Sequence, residues 1–284
     1  MEQQKEYGFA LGGGGAKAFA QLGAIKALSE EGILPSYFSG SSMGAVNAIL
    51  LASGYTLEEV EDFYIQNRIR DFFGLGLFCF RNDRIGKAVL SMTEKKGYTK
   101  LEDLPRKVYI PATVPDINLR IVLRKGCIDQ VVMASTSSFL VHPYLVKDIS
   151  IRRQIIQQSH GIYGKNRFLY LKDSCYSSNV PFELLDLIRS EDKGHQDIPH
   201  RDIAFDIIPE FKKTHFLPLD RFNKKVLAND LNRKLFFEEN EKGLYLSLDF
   251  NIAQTDFSVK ACQKGFKKSY EYVKRILSAK KNTL

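Results

Sequence analysis

Gly40-Ser41-Ser42-Met43-Gly44 stands between a short apolar run, Tyr37 to Ser39, and a longer one, Ala45 to Ser53, that stops at Gly54. The first run has the length of a buried strand and the second that of a buried helix, so the five residues between them must make one tight strand-to-helix turn. A serine at the centre of such a turn is held out of the sheet, where its hydroxyl can react. Glycines at both ends let neighbouring backbone pass without a Cβ in the way. The helix that follows aims its first N–H groups at the same place and favours a developing anion there. Ser42 is therefore the candidate nucleophile, with Gly40 and Gly44 bounding its elbow. The plain alternative is a chance Gly/Ser turn, and the runs on both sides argue against it.

The preceding residues repeat the pattern. Tyr7 to Leu11 reads as a short buried strand, Gly12-Gly13-Gly14-Gly15 follows, and a helix is expected from about Lys17. Its residues Ala18, Leu22, Ile25 and Leu28 share one face, and Gly32 ends it. Two strands joined by a helix imply a parallel sheet. The glycine run has two functional readings beside that of a plain turn. As an oxyanion loop, Gly13, Gly14 and Gly15 would turn backbone N–H groups to a tetrahedral intermediate. As a dinucleotide loop, Gly13-x-Gly15-x-x-Ala18 would hold a pyrophosphate and needs an acid closing the second strand. Glu30 and Glu31 lie at about the right spacing but in a helix end, and the second strand leads into the serine turn instead. Lys17 supports the loop or the oxyanion, or is an exposed lysine of a first helical turn.

Further along, Thr56 with Glu59 forms a capping-box pattern. Asp71 to Phe80 is rich in Phe and Leu, and Phe72, Phe73, Leu75, Leu77, Phe78 and Phe80 either line an acyl channel as a lid or pack as core. Val108 to Ala112 and Leu119 to Leu123 read as strands, and Asp129 to Ala134 as a short helix. Ile151 to His160 is polar and reads as an insertion. Phe168 to Leu171 reads as a strand that delivers Asp173, and Ile203 to Ile207 as the last strand of the sheet. Asp256 to Ala279 reads as an amphipathic helix with Phe257, Phe266, Tyr270, Val273 and Leu277 on its apolar side. One domain over residues 1–284 is expected, with a core at about 7–210 and the basic helix at about 256–279 as a C-terminal extension.

The net charge of +8 is concentrated between Asp256 and the end of the sequence, where eight Lys and Arg stand against Asp256 and Glu271. It reads as a solvated helix face or as a surface for anionic membrane; it lacks the interleaved aromatics of a nucleic-acid binder, and no nucleic acid is expected. No apolar run is long enough to span a bilayer, and the start carries no signal-peptide core, so a cytoplasmic location is expected, with peripheral membrane contact. Cys79, Cys127, Cys175 and Cys262 are far apart and read as reduced thiols, with neither a disulfide framework nor a zinc site.

A nucleophilic serine needs a base. His142, His160, His195, His200 and His215 sit in no recognisable strand-end context. Asp173 follows an apolar strand and is itself followed by small residues, so its carboxylate can reach across the top of a sheet and act as a base if burial raises its pKa. On its own it also fits a turn aspartate.

Three sites in this order resemble the patatin-like phospholipases. The glycine loop of that family is similar to Gly13-Gly14-Gly15-Ala16-Lys17-Ala18, its serine elbow to Gly40 to Gly44, and its Asp-Gly-Gly or Asp-Gly-Ala motif with a trailing Asn-x-Pro to Asp173-Ser174-Cys175 and Asn179-Val180-Pro181. Leu101 to Pro105 and Ala134 to Phe139 also resemble family segments. The resemblance implies a three-layer α/β/α sandwich with a mostly parallel central sheet. It also implies a Ser42–Asp173 dyad without histidine, an oxyanion loop at Gly13 to Gly15, and hydrolysis of fatty-acyl esters of phospholipids or related lipids, with no metal or other cofactor. Ser174 and Cys175 depart from the glycines of the motif, and a positive φ there would strain Ser174. The stretch from Ile151 to Arg167 looks long and is a candidate cap over the site. Acyl transfer to an alcohol, and a catalytically silent lipid-binding protein on the same fold, are the alternatives.

Overall fold

The computed structural model describes residues 5–67, 69–75, 80–138, 141–162, 168–176, 179–192, 198–207, 243–248 and 250–281. Leu77, Phe78, Cys79, Phe139, residues 163–167, His195 and His215, singled out above, lie outside them.

In chain order the elements are β1 (Glu6–Leu11), α1 (Phe19–Ser29), β2 (Pro35–Gly40), α2 (Met43–Ala52), α3 (Leu57–Gln66), α4 (Ile69–Phe72), β3 (Gly74–Leu75), β4 (Phe80–Arg81), α5 (Asp83–Lys95), β5 (Val108–Val114), β6 (Leu119–Leu123), α6 (Ile128–Thr136), β7 (Tyr144–Leu145), α7 (Ile149–Gln158), β8 (Tyr170–Asp173), α8 (Glu183–Glu191), β9 (His200–Asp206), β10 (Gly243–Ser247) and α9 (Val259–Lys281). The central sheet runs β10-β9-β1-β2-β5-β8-β7, with β6 also paired to β5. From β10 to β5 all pairs are parallel; β6, β8 and β7 add antiparallel pairs.

The strand period of two sorts side chains between the faces. Phe9, Leu11, Phe38, Ile110, Ala112, Ile203, Phe205 and Leu246 join one buried cluster with α1, α2, α5, α6 and α9. Ala10, Tyr37, Tyr109 and Ala204 face the other way, under Leu184, Leu185 and Ile188 of α8. Helices thus cover both faces of a mostly parallel sheet, as the three-layer expectation requires. The capping box at α3 is present: Thr56 Oγ1 accepts from Glu59 N–H, and Thr56 N–H donates to Glu59.

Four details differ from the sequence reading. The helix expected from Lys17 begins as a 3-10 turn, Gly15–Ala18, and becomes α-helical only at Phe19. β9 is not the last strand, because β10 pairs parallel to its outer edge with Leu246 buried. The stretch read as a polar insertion is helical over Ile149–Gln158. It packs on β6 through Ile151 and Ile155, while Gln158 exchanges two hydrogen bonds with the Val122 backbone (2.8 and 2.9 Å). Gln154 adds bonds from Arg124 N–H and to Lys125 O, so the two glutamines take the place of a neighbouring strand on β6. Finally, described residues from 243 onward belong to the main core. Phe257 packs against Phe19, Phe72 and Phe73 with ring centroids 5.7–6.3 Å apart, and Ile252, Ala261, Cys262 and Val273 are buried in the same cluster. Phe72 is accordingly core, whereas Phe80 is 38% exposed.

The helix α9 lies along α1. Its buried positions are Ala261, Cys262, Gly265, Ser269 and Val273, with Phe266, Tyr270 and Leu277 at the margin, while Phe257 precedes the helix. Lys274 pairs with Glu30 and Glu31, and Tyr270 donates to Glu30, so these two acids hold the helix ends together rather than closing a strand. Among the described residues no helix is long and apolar enough to cross a membrane.

Candidate active site

Ser42 adopts φ 51° and ψ −125°, a conformation that costs a non-glycine residue about 1–3 kcal/mol. The fold over-determines it. Ser41 N–H donates to Leu11 O at 3.0 Å, Gly44 N–H to Ser41 O at 2.8 Å, and Ser42 N–H to the buried Ser135 hydroxyl at 2.9 Å. A Cβ on Gly44 would stand 2.2 Å from Leu11 O and 2.6 Å from Gly12 O, which is why the elbow tolerates only glycine there. Beyond it, every residue of α2 is buried, so the helix dipole at Met43 is poorly screened by solvent.

The glycine run lies directly beside this turn. A Cβ on Gly13 would be 2.9 Å from Ser42 Cβ. Gly12 N–H donates to Phe205 O at 3.0 Å and Gly13 N–H to Asn179 O at 3.4 Å. Gly13 is thereby turned toward Asn179, and the Gly14 and Gly15 N–H groups are the ones without such an acceptor among the described residues. Gly15 has φ +57° and closes on Gln254, whose carbonyl accepts Ala16 N–H at 2.8 Å. Lys17 is half-buried in the following 3-10 turn, with its N–H on Gly14 O.

A buried polar chain braces the loop from behind. Gln21 donates to Gly12 O at 2.7 Å, Asn47 donates to Gln21 and to Ala18 O, and Tyr64 donates to Asn47 at 2.6 Å. Sequence reasoning did not single out Gln21, Asn47 or Ser135. The signal was available, since a lone amide in the apolar runs of α1 and α2 must find a buried partner.

Asp173 is brought to the same place by β8, which pairs antiparallel with β5 so that Asp173 stands opposite Ala112. Its N–H donates to Ser137 O at 3.0 Å. Oδ1 accepts from Cys175 N–H at 2.9 Å and, more loosely, from the Ser41 hydroxyl at 3.4 Å. Oδ2 is buried and has no hydrogen-bond partner among the described residues. Burial pushes the carboxyl up to about 6, against the opposing effect of the Cys175 N–H and the nearby Ser42 hydroxyl. That hydroxyl is close enough to stabilise the carboxylate but lies outside hydrogen-bonding geometry. Ser174 starts a 3-10 turn and does not take positive φ, so the strain expected there is absent; its hydroxyl bonds Ser41 Oγ at 2.9 Å. His142, His160 and His200 are exposed, and none of them bonds Ser42 or Asp173. Among the described residues, Cys127, Cys175 and Cys262 form no disulfide.

An α/β fold with a serine strained on a strand-to-helix elbow, a glycine loop against it and a buried carboxylate alongside is the arrangement of serine-dependent acyl hydrolases. The family described as patatin-like phospholipase matches residues 9–186, more than half of the sequence, and the chain belongs to that family. Lysophospholipase nte1 of Aspergillus terreus is 50% identical over 48 residues, a segment that is 17% of this chain and 3% of that protein. The crystal structure of VipD from Legionella pneumophila has the same fold, with a TM-score of 0.51 and 14% identity over 95% of this chain and 67% of that one. A chain of the crystal structure of full-length SpcU in complex with full-length ExoU from Pseudomonas aeruginosa gives a TM-score of 0.41 and 13% identity, over 95% of this chain and 52% of that one.

Proposed function

We propose that this protein hydrolyses fatty-acyl esters of phospholipids or lysophospholipids through Ser42 and Asp173. The observation that carries the reading is a buried carboxylate, with one oxygen unpartnered and a pKa raised to about 6, set beside a serine on a strained turn. A base with that proton affinity is ionised at neutral pH and still accepts a proton readily. Ser42 Oγ attacks the ester carbonyl carbon as its proton passes to Asp173. The carbonyl electron pair moves onto oxygen, facing the Gly14 and Gly15 N–H groups and the start of α2, with Gly13 shaping the loop and Lys17 supporting it. Collapse of this intermediate expels the alcohol, which takes the proton from Asp173. Water then attacks the acyl-enzyme carbonyl, giving a proton to Asp173; the intermediate collapses by breaking the bond to Ser42 Oγ, Asp173 returns the proton to that oxygen, and the fatty acid leaves.

The first experiment is fluorophosphonate labelling with mass spectrometry of the adduct, followed by hydrolysis of a lysophospholipid, the substrate suggested by the 48-residue relative. Stoichiometric labelling at Ser42 is expected. No labelling, in the presence or absence of vesicles, would leave the silent lipid-binding alternative.

The basic helix supports peripheral contact with an anionic surface such as the cytoplasmic leaflet. Lys260, Lys267, Lys268 and Arg275 are exposed on the side of α9 away from α1, interrupted by Glu271. Changing these four cations to glutamine is expected to weaken binding to vesicles containing phosphatidylserine up to about 10³-fold, at roughly 1 kcal/mol per charge. Sedimentation with vesicles measures it, and unchanged binding would rule out this helix as the contact.

A further inference from the structure

The Asn179 side chain has no part in the chemistry just described, yet its placement is costly. It is 2% exposed, and among the described residues neither Oδ1 nor Nδ2 has a hydrogen-bond partner. Native folds rarely leave both ends of a buried amide unsatisfied unless something is gained by it. The backbone around it is firmly held. Asn179 O accepts Gly13 N–H, Val180 packs on Gly12, and Pro181 O accepts the Ser39 hydroxyl at 2.7 Å, so the segment is fixed to both the glycine loop and β2. The amide lies against the face of Gly13 that Ser42 also meets: a Cβ on Gly13 would be 3.1 Å from Asn179 Oδ1 and 2.9 Å from Ser42 Cβ. With no bond on either atom, a half turn about χ2 exchanges oxygen and nitrogen without loss.

We propose that the Asn179 amide is a further oxyanion donor, turning its NH2 toward the acyl oxygen of the Ser42 adduct beside the Gly14 and Gly15 N–H groups. This rests on the acyl-hydrolase reading above. The amide has no partner to give up in the free enzyme, and its bond forms as negative charge develops on the substrate. An interaction made only in the transition state raises kcat and leaves substrate affinity unchanged.

Asn179→Leu, of nearly equal size, and Asn179→Ala provide the test. Three quantities are read: steady-state kinetics on a lysophospholipid, the unfolding temperature, and inhibition by a long-chain trifluoromethyl ketone, whose serine adduct bears an oxyanion. The expected kcat loss is about 10²- to 10³-fold, the usual effect of removing one such donor. KM should stay nearly constant, and affinity for the ketone should fall by the same factor as kcat/KM. The unfolding temperature of Asn179→Leu should be equal to or above that of the native protein, because an apolar group replaces a partnerless amide. A folded variant that keeps its kcat overturns the proposal. So does parallel loss of substrate and ketone binding with a lowered unfolding temperature, or failure of both variants to fold, since each makes Asn179 a structural residue. If the native protein neither hydrolyses ester nor labels at Ser42, the acyl-hydrolase reading itself falls; a native protein that does both beside an unimpaired variant defeats the Asn179 role alone.

Discussion

Ser42→Gly is expected to unfold about 2–4 °C above the native protein while taking no fluorophosphonate at residue 42. The serine holds φ 51° and ψ −125°, which glycine adopts freely. Relief of about 1–3 kcal/mol of strain outweighs the roughly 0.5–1 kcal/mol by which glycine favours the unfolded chain. The Ser42 N–H bond to Ser135 survives, because its donor is backbone. Ser42→Ala supplies the contrast: it also loses the nucleophile but keeps the Cβ and therefore the strain. Hydrolysis should fall about 10⁴-fold or more in both variants, with thermal stabilisation in the glycine variant alone. Equal unfolding temperatures in all three proteins would show that the elbow stores no strain.

Asp173→Asn is expected to slow acylation about 10²- to 10⁴-fold and to stabilise the protein at neutral pH. The folded-state pKa of about 6 lies above the 3.8 of an unperturbed aspartate. Between these values the folded protein holds a proton that the unfolded chain releases, so stability falls as pH rises through that window. Above pH 6 the full penalty of the buried charge applies, about 3 kcal/mol at 1.36 kcal/mol per tenfold change in proton affinity. Asparagine avoids it and keeps Oδ1 as acceptor for Cys175 N–H. Denaturant midpoints should therefore favour the variant at pH 8, with the difference shrinking through pH 6 and vanishing near pH 4. In the native enzyme kcat/KM should drop tenfold per pH unit below about 6, a limb the variant lacks. A stability difference independent of pH would mean that the buried charge is not its origin.

Where the determinants are local, the sequence was readable. The Gly40–Gly44 turn, the glycine run and the Thr56–Glu59 box each specify their geometry within a few residues. Asp173 is different. Its approach to Ser41, 132 residues away, depends on β8 pairing antiparallel with β5, and no local pattern encodes that register; the family resemblance supplied it. β10 is a five-residue strand with only Leu244 and Leu246 to mark its inner face, too weak a signal to announce an edge. The large apolar residues read from the sequence of α9 do lie on its packed side: Val273 is buried and Phe266, Tyr270 and Leu277 pack against the core. The closest approach of the two helices runs through small residues, with Ser269 and the Phe266 backbone against Gly23 and Gly265 against Phe19 and Ala20, and side-chain size alone does not reveal that. The Asn179 amide was visible only as part of a motif, since lack of a partner is a property of the folded surroundings.

The hold of Gln254 on Ala16 bears on how this fold can change and be handled. The motif-bearing residues 9–186 look like a portable cassette, yet the peptide that orients their glycine loop comes from beyond residue 250, anchored by Phe257 among Phe19, Phe72 and Phe73. Cut near residue 210, the chain would keep every motif and lose both the acceptor for Ala16 and the cover over α1. The glycine loop and the 250–281 segment are thus mechanically interdependent, and a force or ligand acting on α9 reaches the loop beside Ser42 through the Gln254 peptide and its hydrogen bond to Ala16.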